Sequence, residues 1–370
     1  MSRAARGLAL LVALVSLGLS AQPVGSEFRV NTTTTGDQRN PAVASGNSTF
    51  VVVWQGSNGS NFDVFGQRLG ASGTRIGGEF RVNTYTTDDQ RYPSVSRDIL
   101  GGFVVVWQSY NQQGLSSVFA QRYGGNGAPI GGELRVNTFT TSQATSPQVA
   151  GDLAGNFVVV WTQGDGSFSG VFARRFRASG APAGAEFRVN VATANDQSTP
   201  RVAVDGSGGF VVVWANGSSS EDVFGRRFDA SGAPLGGELL VNDSTTSLQT
   251  GSRAAAFPGG GSLVVWDSGD PTAREVAARR YLASGAAAGT QFRVNTYTTS
   301  DQRRGAVAID ENASVVVAWD SEQDGSGTGV YAQIYTFDVV RGDVNGDRVV
   351  DVQDVFYLIN FLFAGGPAPV

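Results

Sequence analysis

The chain has no cysteine, no histidine and no lysine. Without Cys there is no disulfide framework, thiolate metal site or Cys nucleophile. Without His the usual general base near neutral pH and the commonest metal ligand are gone. Without Lys there is no Schiff-base chemistry and no P-loop lysine, and every basic residue is Arg. A Ser–His–Asp triad, a His-ligated zinc and a Cys–His pair are all excluded. Charge is also scarce: charged residues make up 16% and the formal net charge is −5. That balance argues against a nucleic-acid or anionic-membrane partner, both of which call for a basic surface. Long apolar runs are missing as well. The longest, from Leu8 to about Leu19, is too short for a comfortable membrane span, and none follows it.

Glycine is abundant, with 50 residues in 370, and Val, Thr, Ser and Asn are frequent. Such a composition suits short strands joined by many turns. At the N-terminus, Arg3 and Arg6 precede the apolar run, and small residues end at Ala21. A positive start, an apolar middle and a small-residue end predict a secretory signal peptide over residues 1–21 and an exported protein starting near Gln22.

Three phrases recur. EFRVNT (27–32) returns as EFRVNT (79–84), ELRVNT (133–138), EFRVNV (186–191), ELLVND (238–243) and QFRVNT (291–296). FVVVW occurs at 50–54, 103–107, 157–161 and 210–214, followed by SLVVW (262–266) and VVVAW (315–319). VFGQRL (64–69), VFAQRY (118–123), VFARRF (171–176), VFGRRF (223–228), VAARRY (276–281) and VYAQIY (330–335) form the third series. The period is about 53 residues, and each unit reads as four short strands bounded by turn residues.

Four strands per unit at this spacing predict an all-β fold, a six-bladed β-propeller of four-stranded antiparallel blades over residues 27–337. FVVVW is apolar throughout, which a propeller explains because neighbours cover both faces of each blade. Tandem β-sandwiches would need more strands per unit, and a β-solenoid shorter coils. With PSVS (93–96) as inner strand A, FVVVW as B, VFAQRY as C and EFRVN as outer strand D, the chain starts with a D strand and ends its repeats after a C strand. Pairing the first D strand with the last blade would close the ring and remove its open edges.

In this register the B–C and D–A loops share one face, and the A–B and C–D loops share the other. The C–D loop is nearly constant between units, whereas the B–C loop differs in each, so a ligand site is expected on the B–C/D–A face. Asp37, Asp89, Asp196 and Asp301 in the D–A loops read as turn caps. The six Trp, one per unit at fixed register, read as packing between blades rather than sugar platforms. The recurrent Arg of FRVN (Arg29, Arg81, Arg135, Arg188 and Arg293) reads as a structural contact. Glu221, Glu275 and Glu322 are each confined to one unit, but nothing pairs them. Some six-bladed propellers are sialidases, with Asp-box turns of the form Ser-x-Asp-x-Gly-x-x-Trp, and no such box is present.

GDVNGDRVVDVQDVFYLINFL (342–362) is unlike the rest of the chain. Asp343, Asn345, Asp347, Val349, Asp351 and Asp354 fall at positions 1, 3, 5, 7, 9 and 12 of an EF-hand-type loop, with Val349 acting through its carbonyl. A hard cation such as Ca²⁺ wants such oxygen donors. With Asp at position 12 and an apolar helix expected from about Val352 to Phe363, residues 341–364 resemble a type I dockerin repeat, although Arg348 stands at the usual glycine position and only one repeat is present. A tail of residues 365–370 follows. The resemblance implies a calcium-folded module that docks onto a cohesin-like partner or scaffold of polysaccharide-degrading bacteria. The expected function is therefore a secreted, non-catalytic binding or assembly protein, its propeller presenting loops to a protein or an extracellular carbohydrate. The alternative is an extracellular polysaccharide-acting enzyme of the glycoside hydrolase class, tethered by the same tail.

Overall fold

The computed structural model describes residues 28–336 apart from the loop segments 47–48, 58, 167, 218–220, 246, 270–273, 310–312 and 322–328. Six antiparallel sheets follow one another along the chain, and in each the strands pair in sequence order. The first sheet holds Gln38–Gly46, Thr49–Ser57, Phe62–Gly70 and Arg75–Arg81 as strands A to D. Five sheets have four strands and the sixth has three. The protein is an all-β six-bladed propeller. No helix occurs among the described residues, and none there is long and apolar enough to cross a membrane. The calcium loop and helix expected at 341–364 lie outside the described residues, so Asp343, Asn345, Asp347, Val349, Asp351 and Asp354 receive no structural account.

The all-apolar B strands follow from the stacking of blades. Alternate residues of FVVVW point to opposite neighbours. Val51 and Val53 of blade 1 join Phe103, Val105 and Trp107 of blade 2 in one cluster. Val104 and Val106 of blade 2 join Phe157, Val159 and Trp161 of blade 3 in the next. The same alternation builds the cores between blades 3 and 4, 4 and 5, and 5 and 6. Five of the six Trp are sealed within these cores, four of them fully buried, and Trp54, on the side facing blade 6, is buried as well, as their fixed register predicted.

Each indole N–H is also satisfied. Trp54, Trp107, Trp214, Trp266 and Trp319 donate from Nε1 to Gln38, Gln90, Gln197, Gln249 and Gln302, the first residues of their own A strands, at 2.7–3.1 Å. Blade 3 starts its A strand at Ala144, and there Trp161 turns to Gln163 at 2.7 Å. A buried N–H without such a partner would cost about 1–3 kcal/mol.

The A–B/C–D face is tied by a second repeated device. The Arg near the end of strand C reaches the C–D loop of the next blade. Arg68 donates to Gly125 O, Arg122 to Ser179 O, Arg175 to Ala230 O and Arg227 to Ala283 O. Each guanidinium lies against a loop glycine at positive φ (Gly127, Gly180, Gly232 and Gly285), where a Cβ would collide with it.

The junction of blade 6 with blade 1 differs. Phe50 is 37% exposed, whereas its counterparts Phe103, Phe157 and Phe210 are 5%, 3% and 4% exposed. Val43 and Val316, on the facing sides of blades 1 and 6, are exposed too. The expected pairing of the first D strand with the sixth sheet is not seen: residues 28–31 form no strand among the described residues. Blade 1 holds this segment instead. Glu79 accepts from Thr32 N, as Glu133 does from Thr84 N and Glu186 from Thr138 N along the ring. Arg75 donates to Arg29 O and Val30 O. Phe28 lies against Gly73, the place an Arg of the preceding blade occupies elsewhere. Position 334, where blades 1 to 5 have that Arg, is Ile and offers no donor. The segment thus keeps the contact of a D strand with the following blade, while the short pairing that D strands make in blades 3 to 5, two residues each, gives little to hold it on blade 6.

Candidate functional site

Most side chains singled out from the sequence prove to be fasteners. Asp89, Asp196 and Asp301 accept backbone N–H bonds from Phe62, Ser169 and Arg274 at 2.9–3.0 Å, joining the D–A loop to the start of strand C. Asp37 pairs with Arg39 on the surface. Bonds from Ser169 hold the Asp196 carboxyl below its usual range. The FRVN arginines contact their own blades: Arg81 donates to Asn83 O, Arg135 to Ser117, and Arg293 pairs with Glu275 at 3.0 Å. Glu275 is thereby occupied, Glu322 lies outside the described residues, and no ion pair forms with Glu221 among the described residues. No cluster of three or more acidic, His or Cys side chains suited to a metal occurs among the described residues.

The B–C/D–A face carries the departures. Every inner strand has an irregularity at its third and fourth residues, with positive φ at Asn40, Tyr92, Ser146, Thr199, Gly251 and Arg304. For Tyr, Thr and Arg this backbone is strained and held by its surroundings. In blades 1, 2 and 5 the residue after the Trp serves the next blade's irregularity. Gln55 Oε1 accepts from Tyr92 N and Gln108 Oε1 from Ser146 N. In blade 5 that position is Asp267, whose two oxygens accept Arg304 N at 3.0 Å and Gly305 N at 3.2 Å. Burial raises the Asp267 pKa, opposed by these N–H bonds and by the charges of Arg253 and Arg274.

Blade 3 carries a cleft of about 780 Å³ on the same face. It opens where the D–A loop entering blade 3 meets that blade's B–C loop and outer strand. Phe139 and Phe168 flank it, 48% and 47% exposed, with Phe172 half-buried beneath. Asp165 and Phe168 close a tight turn: Asp165 N donates to Phe168 O at 2.9 Å, and Phe168 N to Asp165 Oδ1 at 3.3 Å. Asp165 Oδ2 is buried and accepts no hydrogen bond among the described residues, standing 3.6 Å from Arg188 Nη1. Glu186 also lines the cleft, but its oxygens accept the N–H groups of Thr138 and Phe139 and brace the loop.

The sequence placed the site on this face but did not single out Asp165, Phe139 or Phe168. The available signal was the loop TQGDGSFSG (162–170), which sets an acid and a Phe among three glycines. The D–A loop that meets it is distant in sequence.

No protein-family model and no curated protein matches the chain. Solved structures do share its fold. A protein of unknown function from Dyadobacter fermentans DSM 18053 aligns with a TM-score of 0.57 at 12% identity, covering 80% of this chain and 94% of its own. A polysaccharide lyase of family PL25, an ulvan lyase bound to -[GlcA(1-4)Rha3S]-, gives 0.56 at 12% identity, covering 81% and 82%. An α-L-arabinanase from Penicillium chrysogenum complexed with arabinobiose gives 0.51 at 14% identity, covering 80% and 93%. At these identities the likeness establishes the fold. It also corrects the expectation of a non-catalytic binding or assembly protein, since two of these three neighbours are named as polysaccharide-acting enzymes, a lyase and an arabinanase.

Proposed function

We propose that the protein is an extracellular polysaccharide-acting enzyme of the glycoside hydrolase class, with the blade 3 cleft as its saccharide site. One observation carries the reading: a buried carboxylate oxygen, Asp165 Oδ2, without a hydrogen-bond donor among the described residues, in a cleft lined by two exposed phenyl rings. Aromatic faces suit the apolar faces of sugar rings. Asp165, whose Oδ2 stands 3.6 Å from Arg188 Nη1, accepts a proton from the water that attacks the anomeric carbon as the glycosidic C–O bond breaks, and the departing oxygen takes its proton from solvent water. Glu186 keeps Phe139 in position. Removing such a proton acceptor costs about 10²–10⁴-fold in rate. The test is release of reducing ends from a polysaccharide panel by the wild type and by Asp165→Asn. Loss of activity with unchanged thermal stability supports the reading; no release from any polymer, or an active Asp165→Asn, defeats it.

The calcium loop, the export signal and the cohesin-like partner belong to the same proposal, supported by sequence motif and spacing. Calcium titration of the full chain checks the loop: saturable binding abolished by Asp343→Ala with Asp347→Ala is expected, and heat unchanged by the substitutions counts against it.

A further inference from the structure

One ring of positions lies directly after the irregularity of each inner strand. Ala42, Ser94, Gln148, Arg201, Arg253 and Ala306 pair with Val53, Val106, Val160, Val213, Val265 and Ala318 of the B strands. The position faces the inner strand of the next blade, because Ser94 Oγ accepts from Val149 N of blade 3 at 3.2 Å. It lies near the B–C/D–A face on the innermost strand of each blade, the strand that lines the ring axis, with its side chain toward the next blade. Four of the six side chains are small or neutral. Blades 4 and 5 instead place two guanidinium groups in succession.

Both arginines are half-buried, and neither forms an ion pair among the described residues. Arg201 Nη1 donates to Pro200 O at 2.9 Å. Arg253 Nη1 donates to Gly251 O at 3.2 Å and Ser252 O at 3.0 Å. These bonds anchor one nitrogen of each fork to its own strand and leave the others without a described acceptor. The acid closest in charge to Arg253 is Asp267, and backbone N–H groups already occupy it. Burial, then the charge of Arg253, pushes the Arg201 pKa down to about 9. A guanidinium does not give up its proton in proteins, so an anion beside the pair would offset the cost of their like charges. A strand that needed only polar packing would carry the Gln that blade 3 has at this position.

We propose that Arg201 and Arg253 form an oxyanion site on the innermost strands that takes the anionic group of an acidic saccharide. The site rests on the polysaccharide-acting reading for the nature of its ligand, and it makes the polymer an acidic one. A carboxylate fits best, because two planar forks match its two oxygens; a sulfate ester offers the same charge with a third oxygen.

The test is calorimetric titration of the full chain with D-glucuronate, glucose 6-sulfate and glucose, against the wild type, Arg122→Ala on the opposite face, and Arg201→Gln with Arg253→Gln. Charge-assisted bonds of this kind imply that glucose binds roughly 10- to 100-fold more weakly than the better anionic sugar. The Arg201→Gln/Arg253→Gln variant loses that preference and Arg122→Ala keeps it. Glucuronate as the better ligand assigns the site to uronates, and glucose 6-sulfate assigns it to sulfate esters. Equal binding of all three sugars, no binding, or an anion preference that survives in the Arg201→Gln/Arg253→Gln variant overturns the proposal. Gln148 shows that Gln is accommodated at this ring position, and a melting temperature of the variant at or above wild type confirms that it folds. The two readings fail separately. Cleavage of neutral polymers without anion preference removes the oxyanion site and leaves the hydrolase. Anion preference without cleavage of any polymer removes the hydrolase and leaves the site.

Discussion

The two faces of the ring use the same repeat differently. On the A–B/C–D face four successive arginines, Arg68, Arg122, Arg175 and Arg227, bind the next blade's loop carbonyls in the same way. On the B–C/D–A face the residue after each Trp is Gln55, Gln108, Thr162, Ala215, Asp267 and Asp320 in turn, and the inner-strand ring runs from Ala to Arg. Repetition marks the parts that hold blades together. Departure from the repeat marks the places where charge is buried or a cleft opens.

The largest effect is expected where repetition is strictest. Trp214→Ala removes a fully buried ring and leaves Gln197 without its donor, so about 3–5 kcal/mol of stability is lost in chemical denaturation. A loss under about 1 kcal/mol means the latch is not what the blades depend on.

Asp267 comes next, because it does the work of Gln55 and Gln108 with a charge. Asp267→Ala strands the N–H groups of Arg304 and Gly305, at a cost of about 1–3 kcal/mol. Asp267→Gln, which restores what blades 1 and 2 carry, is expected near wild type at neutral pH. The pH dependence has a definite sign. Because burial raises the folded pKa above the ordinary aspartate value, the contribution of Asp267 is fully present below that ordinary value and is lost as pH rises through the folded pKa. Wild type therefore weakens relative to Asp267→Gln over that rise, and parallel stability–pH curves contradict the assignment.

Smaller still is the A–B/C–D face taken one link at a time. Arg122→Ala is expected to lower stability by about 1 kcal/mol, since the bond to Ser179 O is exposed, without effect on saccharide binding. The smallest stability effect, within about 0.5 kcal/mol, is expected for Asp165→Asn, whose Oδ2 accepts no described bond. Its activity loss is the largest functional effect, so the ranking by stability reverses the ranking by function.

Much of the fold was legible because blades repeat. The period, the strand order and the fate of the six Trp follow from FVVVW and EFRVN alone, since a strand apolar at every position needs cover on both faces. The Trp–Gln bond was also written in the sequence, with Gln90 and Trp107 standing 17 residues apart like Gln197 and Trp214, but it connects two phrases that were read separately. The exposed junction at Phe50, Val43 and Val316 was not legible, because the phrases there are intact; only Ile334 in place of Arg departs from the pattern. The cleft escaped because Phe139 and Phe168 come together through the stacking of blades 2 and 3, which no local pattern encodes.

The central claim is that chemistry sits where the repeat is broken. Reducing-end release from acidic and neutral polysaccharides, measured side by side for the wild type, Asp165→Asn and Arg122→Ala, tests it most directly. The account predicts cleavage of an acidic polymer, lost in Asp165→Asn by about 10²–10⁴-fold and retained in Arg122→Ala. Equal activity in the wild type and Asp165→Asn, or no cleavage by any of the three, would contradict it.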